Sequence, residues 1–173
     1  MKQLLTLQFL FVIILMVSSC GKVSTLEYKT APITLTAEGP LFEGSNTAQG
    51  TFSGAELESF LGKSGYSGAA IKSARLVSAQ IFTESDTLNL DNISGITLQL
   101  AAPNVDMQQL AVLNPVPSGI SNVSLQVAAE QEKIISLLRQ PDLTCVADIN
   151  LKQDYEANLA LKCLLTFEVK VKD

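Results

Sequence analysis

The chain has 173 residues, 47% of them hydrophobic, and carries 12 Lys and Arg against 17 Asp and Glu, a formal charge of −5. That balance argues against nucleic acid as a partner and against a polybasic membrane patch. Histidine is absent, which removes the commonest general base and metal ligand and excludes a Ser-His-Asp or Cys-His hydrolase; three cysteines are too few for most zinc sites.

Met1-Lys2-Gln3 supplies one positive charge, Phe9 to Val17 is an unbroken apolar run, and Ser18-Ser19-Cys20 follows. A charged start, a short apolar centre and small residues before a cut make a secretory signal peptide. The run is short of the roughly 20 apolar residues that span a bilayer. Val17-Ser18-Ser19-Cys20 resembles the lipobox of bacterial lipoproteins, with Ser19 where Gly or Ala is more usual. The resemblance implies cleavage between Ser19 and Cys20, a diacylglycerol on the Cys20 sulfur and an acylated new amino group. Two or more acyl chains give a stable anchor. It also implies a cell-envelope site on the outer membrane, since Gly21 stands where an inner-membrane retention signal would have Asp. Removing residues 1–19 and Lys2 with them leaves 154 residues with 11 basic and 17 acidic side chains, net −6, enough for one domain with its own core.

Residues 20–30 read as the lipidated cysteine and a polar tether, and 31–173 as a single domain. Ile33, Leu35 and Ala37 alternate with polar residues, which predicts a first strand stopped by Pro40. Residues 43–50 are small and polar and read as a loop, with a short strand at Thr51-Phe52. Ser53-Gly54-Ala55-Glu56 fits a capping box, and Leu57, Phe60 and Leu61 continue at helical spacing until Gly62. From 69 to 83 two alternating faces compete; a bulge near Arg75 to Val77 would let the inward face switch. Ile96, Leu98 and Leu100 mark a half-buried strand ended by Pro103. Leu110 to Leu113 is a short apolar run closed by Asn114-Pro115, and Val123, Leu125 and Val127 mark another strand. Residues 130–140 form a second helix, closed by Pro141.

Two clean alternations close the chain. Leu143, Cys145, Ala147, Ile149 and Leu151 face one way, as do Leu159, Leu161, Cys163, Leu165, Phe167 and Val169. They read as a long antiparallel hairpin turning at residues 153–156. Regular short strands with two small helices point to a mainly β fold, an antiparallel immunoglobulin-like β-sandwich.

A symmetric hairpin would place Cys145 opposite Cys163, within reach of a disulfide. The alternatives are a buried pair of free thiols, or a redox or metal pair, which no Cys-x-x-Cys spacing supports. The acidic loop at 84–92 matches no calcium-loop spacing. Asp86-Thr87-Leu88 resembles the O-glycosylation signal of Bacteroidetes-type envelope proteins, with Thr87 as acceptor. Arg75, with Lys72 near it, is a candidate contact for an anionic ligand or simply an edge charge. Gly62-Lys63-Ser64-Gly65 lacks the first glycine of a phosphate loop, Leu57 standing in its place.

Ile71-Lys72-Ser73-Ala74, Gly95-Ile96-Thr97-Leu98 and Leu165-Thr166-Phe167-Glu168-Val169 give the segment 71–171 a cadence that resembles uncharacterised β-sandwich lipoproteins of Bacteroidetes. The resemblance brings no activity. The sequence therefore leads to the expectation of a lipid-anchored, non-enzymatic binding or structural module of the cell envelope. No cofactor and no metal are expected; its partners would be the membrane, through the anchor, and an envelope protein or glycan. The alternative is a periplasmic carrier or chaperone for an apolar ligand.

Overall fold

A computed structural model describes residues 22–84 and 89–172. In chain order the elements are β1 (Val23–Lys29), β2 (Ile33–Ala37), β3 (Gly44–Ser53), α1 (Ala55–Lys63), a 3₁₀ turn (Gly68–Ala70), β4 (Ile71–Phe82), β5 (Ile93–Ala102) and β6 (Val105–Leu113). There follow β7 (Asn122–Ser124), β8 (Gln126–Val127), α2 (Ile134–Leu138), β9 (Asp142–Leu151) and β10 (Leu159–Lys172). Strand accounts for 57% of the described residues, so the mainly β expectation with two short helices holds.

All pairing is antiparallel, and it draws one continuous sheet: β7-β4-β10-β2-β3-β9-β5-β6-β8, with β1 on β10. The two ends of that path, β7 and β8, are separated in sequence by Leu125 alone. Its N–H donates to Ala79 O at 2.9 Å, and Ala128 N–H donates to Leu110 O at 2.8 Å. One stretch of chain thus stitches β4 to β6 and curls the sheet into a nearly closed barrel. An immunoglobulin-like sandwich has two sheets; the hydrogen bonding here makes one.

The segment read as a tether is largely strand. β1 pairs with β10 from Val23↔Lys172 to Lys29↔Thr166, and β2 continues along the same edge from Ile33↔Cys163 to Ala37↔Leu159. Between them residues 30–32 face residues 164 and 165, a one-residue bulge. Thr30 is buried there, its N–H donating to Leu165 O at 3.0 Å and its hydroxyl accepting from Leu165 N–H at 3.2 Å.

β9 and β10 carry the predicted alternation, and their inward residues are buried as expected. They are not a hairpin. β9 pairs with β3 and β5, while β10 pairs with β4, β2 and β1. The β2–β3 hairpin lies between them, and residues 152–158 arch over its tip. Leu41 and Tyr155 exchange two backbone bonds at 2.8 Å. Glu43 N–H donates to Asp154 Oδ1 at 2.7 Å, and Gly39 N–H donates to Asn158 Oδ1 at 2.9 Å. A side chain at Gly39 would run into the Ala157 carbonyl.

Eight places around the wall (β1 with β2, β3, β9, β5, β6, β7 with β8, β4 and β10) give a barrel just wide enough for side chains to fill. Leu35, Ile81, Leu98, Leu100, Leu165 and Phe167 have no exposed surface. Both helices cover the end of the barrel where β3 stops and β9 starts, with Leu57, Leu61, Ile134, Leu137 and Leu138 buried beneath them. Gly54 N–H, at the start of α1, donates to Pro141 O, just after α2, at 2.9 Å.

Candidate functional site

Ser19 and Cys20, the expected cleavage and lipidation positions, and Thr87, the expected glycosylation acceptor, lie outside the described residues. The structure does place Cys145 and Cys163. Cys145 lies on β9 between its partners Gly50 and Leu100; Cys163 lies on β10 between Ile33 and Ile81. Both point into the barrel and both are wholly buried. They stand across the interior as buried free thiols and are not bridged. The hairpin symmetry behind the disulfide reading is absent because β2 and β3 are interposed. The Cys145 thiol is pushed well up, first by its hydrogen bond to Cys163, then by burial. A thiol that resists ionisation and lacks solvent access is a poor nucleophile and a poor metal ligand.

Arg75 is already engaged. Its Nε and Nη2 donate to Glu168 Oε1 and Oε2 at 3.0 and 3.1 Å, in a fork across the β4–β10 register. The guanidinium holds the Glu168 carboxyl below the usual carboxylate range. Lys72 takes no part in that fork. Among the described residues no group of three His, Cys, Asp or Glu is placed to hold a metal, and no helix is long and apolar enough to cross a membrane.

Two of the concavities among the described residues bear on a ligand. The larger of these two, about 630 Å³, is an open groove where β2 and β3 diverge, since Thr36↔Gln49 is their single described pair. Gln49, Thr51 and Thr144 give it a polar wall, Phe52 and Pro32 an apolar one, and Glu56 enters from α1. The smaller, about 240 Å³, opens at the far end of the barrel, walled by Ile93, Leu151, Leu159 and Leu161 with Tyr155 and Asn92 at its edge. Neither assembles a nucleophile with a base among the described residues that line it. The sequence reading missed both, because each is built from residues far apart in the chain, Ala31 to Thr144 in the first and Thr83 to Leu161 in the second.

It also missed Tyr28, on the strand taken for tether. Tyr28 is 4% exposed, its ring 5.4 Å from Phe60 of α1 and 6.3 Å from Phe167 of β10. The buried hydroxyl has no hydrogen-bond partner. Burial, then the Glu56 charge, push its pKa up to about 12. The signal was in the sequence: Ser24, Leu26 and Tyr28 alternate with Thr25, Glu27 and Lys29.

No family model matches the chain, and no curated protein matches it. Among solved structures, a chain described as Desmodium yellow mottle tymovirus is similar over 91% of each chain, at 10% identity and a TM-score of 0.31. That degree of overlap assigns neither fold nor activity.

Proposed function

We propose that the protein is a lipid-anchored, non-enzymatic module of the bacterial cell envelope, held on the outer membrane through Cys20 and presenting its barrel to an envelope protein or glycan. The observation that carries the reading is the leader that ends in Val17-Ser18-Ser19-Cys20, followed after two residues by the first strand of the barrel. Three extended residues reach about 11 Å at most, so the anchored barrel rides against the membrane surface. Its cross-section is read as flattened, with β9 and β10 on facing sides in the manner of a sandwich; the placement of Cys145 and Cys163 across the interior supports this. Growth with labelled palmitate tests the anchor. The mature protein is expected to carry label and resist a carbonate wash, and Cys20→Ser is expected to lose both; an unlabelled wild-type product removes the reading.

A second reading, a carrier for an apolar ligand, is favoured by the pocket walled by Ile93, Leu151, Leu159 and Leu161. Its volume, about 240 Å³, is below the usual ~300–1,000 Å³ of a ligand site, which suits a small apolar group. Native mass spectrometry of protein taken from membranes in mild detergent distinguishes the two, since a carrier retains a bound molecule.

A further inference from the structure

The sequence scatters its lysines, and the fold gathers four of them at one tip. Lys22 precedes β1, Lys72 lies at a register break near the start of β4, and Lys170 and Lys172 end β10. Lys172 is the register partner of Val23; Lys170 is that of Thr25 on one side and Ser73 on the other. All four are exposed. The described ion pairs, Arg75–Glu168, Lys133–Asp106 and Lys162–Glu84, use none of them. Val23 stands among them as an apolar residue 56% exposed. Among the described acids, Glu27 lies further along β1, Glu58 accepts from Gly68 N–H at 3.1 Å just before β4, and Glu168 is close enough to Lys170 to feel its charge. Glu168 is already forked to Arg75. Positive charge is therefore in excess here, on a chain whose net charge is −5.

We propose that this tip is a docking surface for anionic phospholipid headgroups. The inference rests on the anchor at Cys20, three residues before Val23, and says how the anchored barrel stands. Lysine ammonium groups on flexible stems reach phosphate oxygens while an exposed valine beside them enters the interface. Near an anionic surface each lysine adds roughly fivefold to partitioning, an effect that decays within a Debye length of ~10 Å at 0.1 M salt. The short connection to Cys20 lets the tip come within that distance. β10 runs from Leu159 to Lys172, ~43 Å at strand rise, so the Ile93–Leu161 pocket is carried to the end facing away from the membrane.

The test uses the full-length gene product, processed by its host and purified from membranes. It is placed in vesicles of phosphatidylcholine, with or without a third of phosphatidylglycerol, and acetylation of each lysine is followed by mass spectrometry. Lys22, Lys72, Lys170 and Lys172 are expected to react about fivefold or more slowly on the anionic vesicles than on the neutral ones. Lys152, at the far end, is expected to react equally on both, and 0.5 M salt is expected to abolish the difference. The double variant K170E/K172E is expected to release Lys22 and Lys72 while leaving the acyl mass on Cys20 unchanged. Equal rates on the two vesicle types, or protection that salt does not move, with the acyl mass present, overturns the docking surface and leaves the anchor standing. If the product carries no acyl mass, the anchor reading is the one lost. Co-sedimentation of that product then decides the tip: pelleting with anionic vesicles alone retains it, and any other pattern overturns it.

Discussion

Two demands conflict at Tyr28. The ring is wanted in the core, where it packs on Phe60 and Phe167, yet the hydroxyl is carried in with it and finds no partner. A buried polar group without a hydrogen bond costs ~1–3 kcal/mol. Tyr28→Phe keeps the ring and removes the cost, so it is expected to raise unfolding stability at pH 7 by about 1 kcal/mol, read as a higher urea midpoint at unchanged slope. The pH dependence has a definite sign. Folding raises the phenol pKa from 10.0 to about 12. The fold therefore favours the neutral form, and that contribution is intact below pH 10 and lost as pH rises through about 12. Absorbance at 295 nm should show a late phenolate step near pH 12 that Tyr28→Phe abolishes. At this scale the sequence was readable in part. The alternation ending in Tyr28 was present, but the polar, mixed composition of residues 21–30 read as a tether. Cys145 and Cys163 were rightly placed on inward faces, and their buried-thiol alternative is the one observed.

Among the elements, β4 shows most clearly how a pattern that fails to alternate still encodes a strand. Ile71, Ala79 and Ile81 point inward on one parity and Leu76 on the other. The switch falls where Thr166↔Ser78 is followed by Phe167↔Leu76, leaving Val77 unpaired, with a second slip between Lys170↔Ser73 and Val171↔Ile71. A bulge inserts one residue and turns the side chains over, as the competing faces had suggested. Unbroken alternation from Ile81 would bury Val77 and expose Leu76; in the fold Val77 is 41% exposed and Leu76 2%. Leu76→Ala is accordingly expected to cost about 2–5 kcal/mol and Val77→Ser less than about 0.5 kcal/mol, by urea denaturation. Comparable costs at the two sites would count against the bulge. α1 has the predicted place but different ends. The Ser53 hydroxyl accepts from Ala55 N–H and forms no reciprocal box with Glu56. The helix passes Gly62 and ends at Lys63, and Gly65 just beyond it, with a φ of +83°, allows Tyr66 N–H to reach Leu61 O at 2.9 Å. β3 was illegible. Its inward face is Asn46, Ala48, Gly50 and Phe52, too small and polar to signal a strand, and its order comes from the ladder it forms with β9.

For the whole molecule, the consequential difference is where the domain begins. Had residues 20–30 been a tether, a chain cut after Thr30 would keep every structural contact. The barrel makes the opposite demand. Without β1 the β10 edge from Thr166 to Lys172 loses its ladder, Phe167 loses the ring stacked on it, and the bulge loses Thr30, which satisfies Leu165 on both backbone groups. Loss of one buried aromatic alone is worth ~3–5 kcal/mol, a large part of the ~5–15 kcal/mol that holds a typical domain folded. The exposed edge would also be a seven-residue strand alternating Phe167, Val169 and Val171 with polar residues, a template for association. A chain starting at Ala31 is therefore expected to show no cooperative thermal transition by circular dichroism and to elute as aggregate. One starting at Gly21 is expected to melt cooperatively as a monomer. If both chains melt alike, β1 is dispensable and the barrel does not start at Val23. That would also detach the lysine tip from the anchor, because Val23 is what brings Lys22 and Lys172 together. In the proposed anchored form β1 would also set how near the membrane the barrel sits, so the cover on the β10 edge and the proposed orientation depend on one stretch of chain.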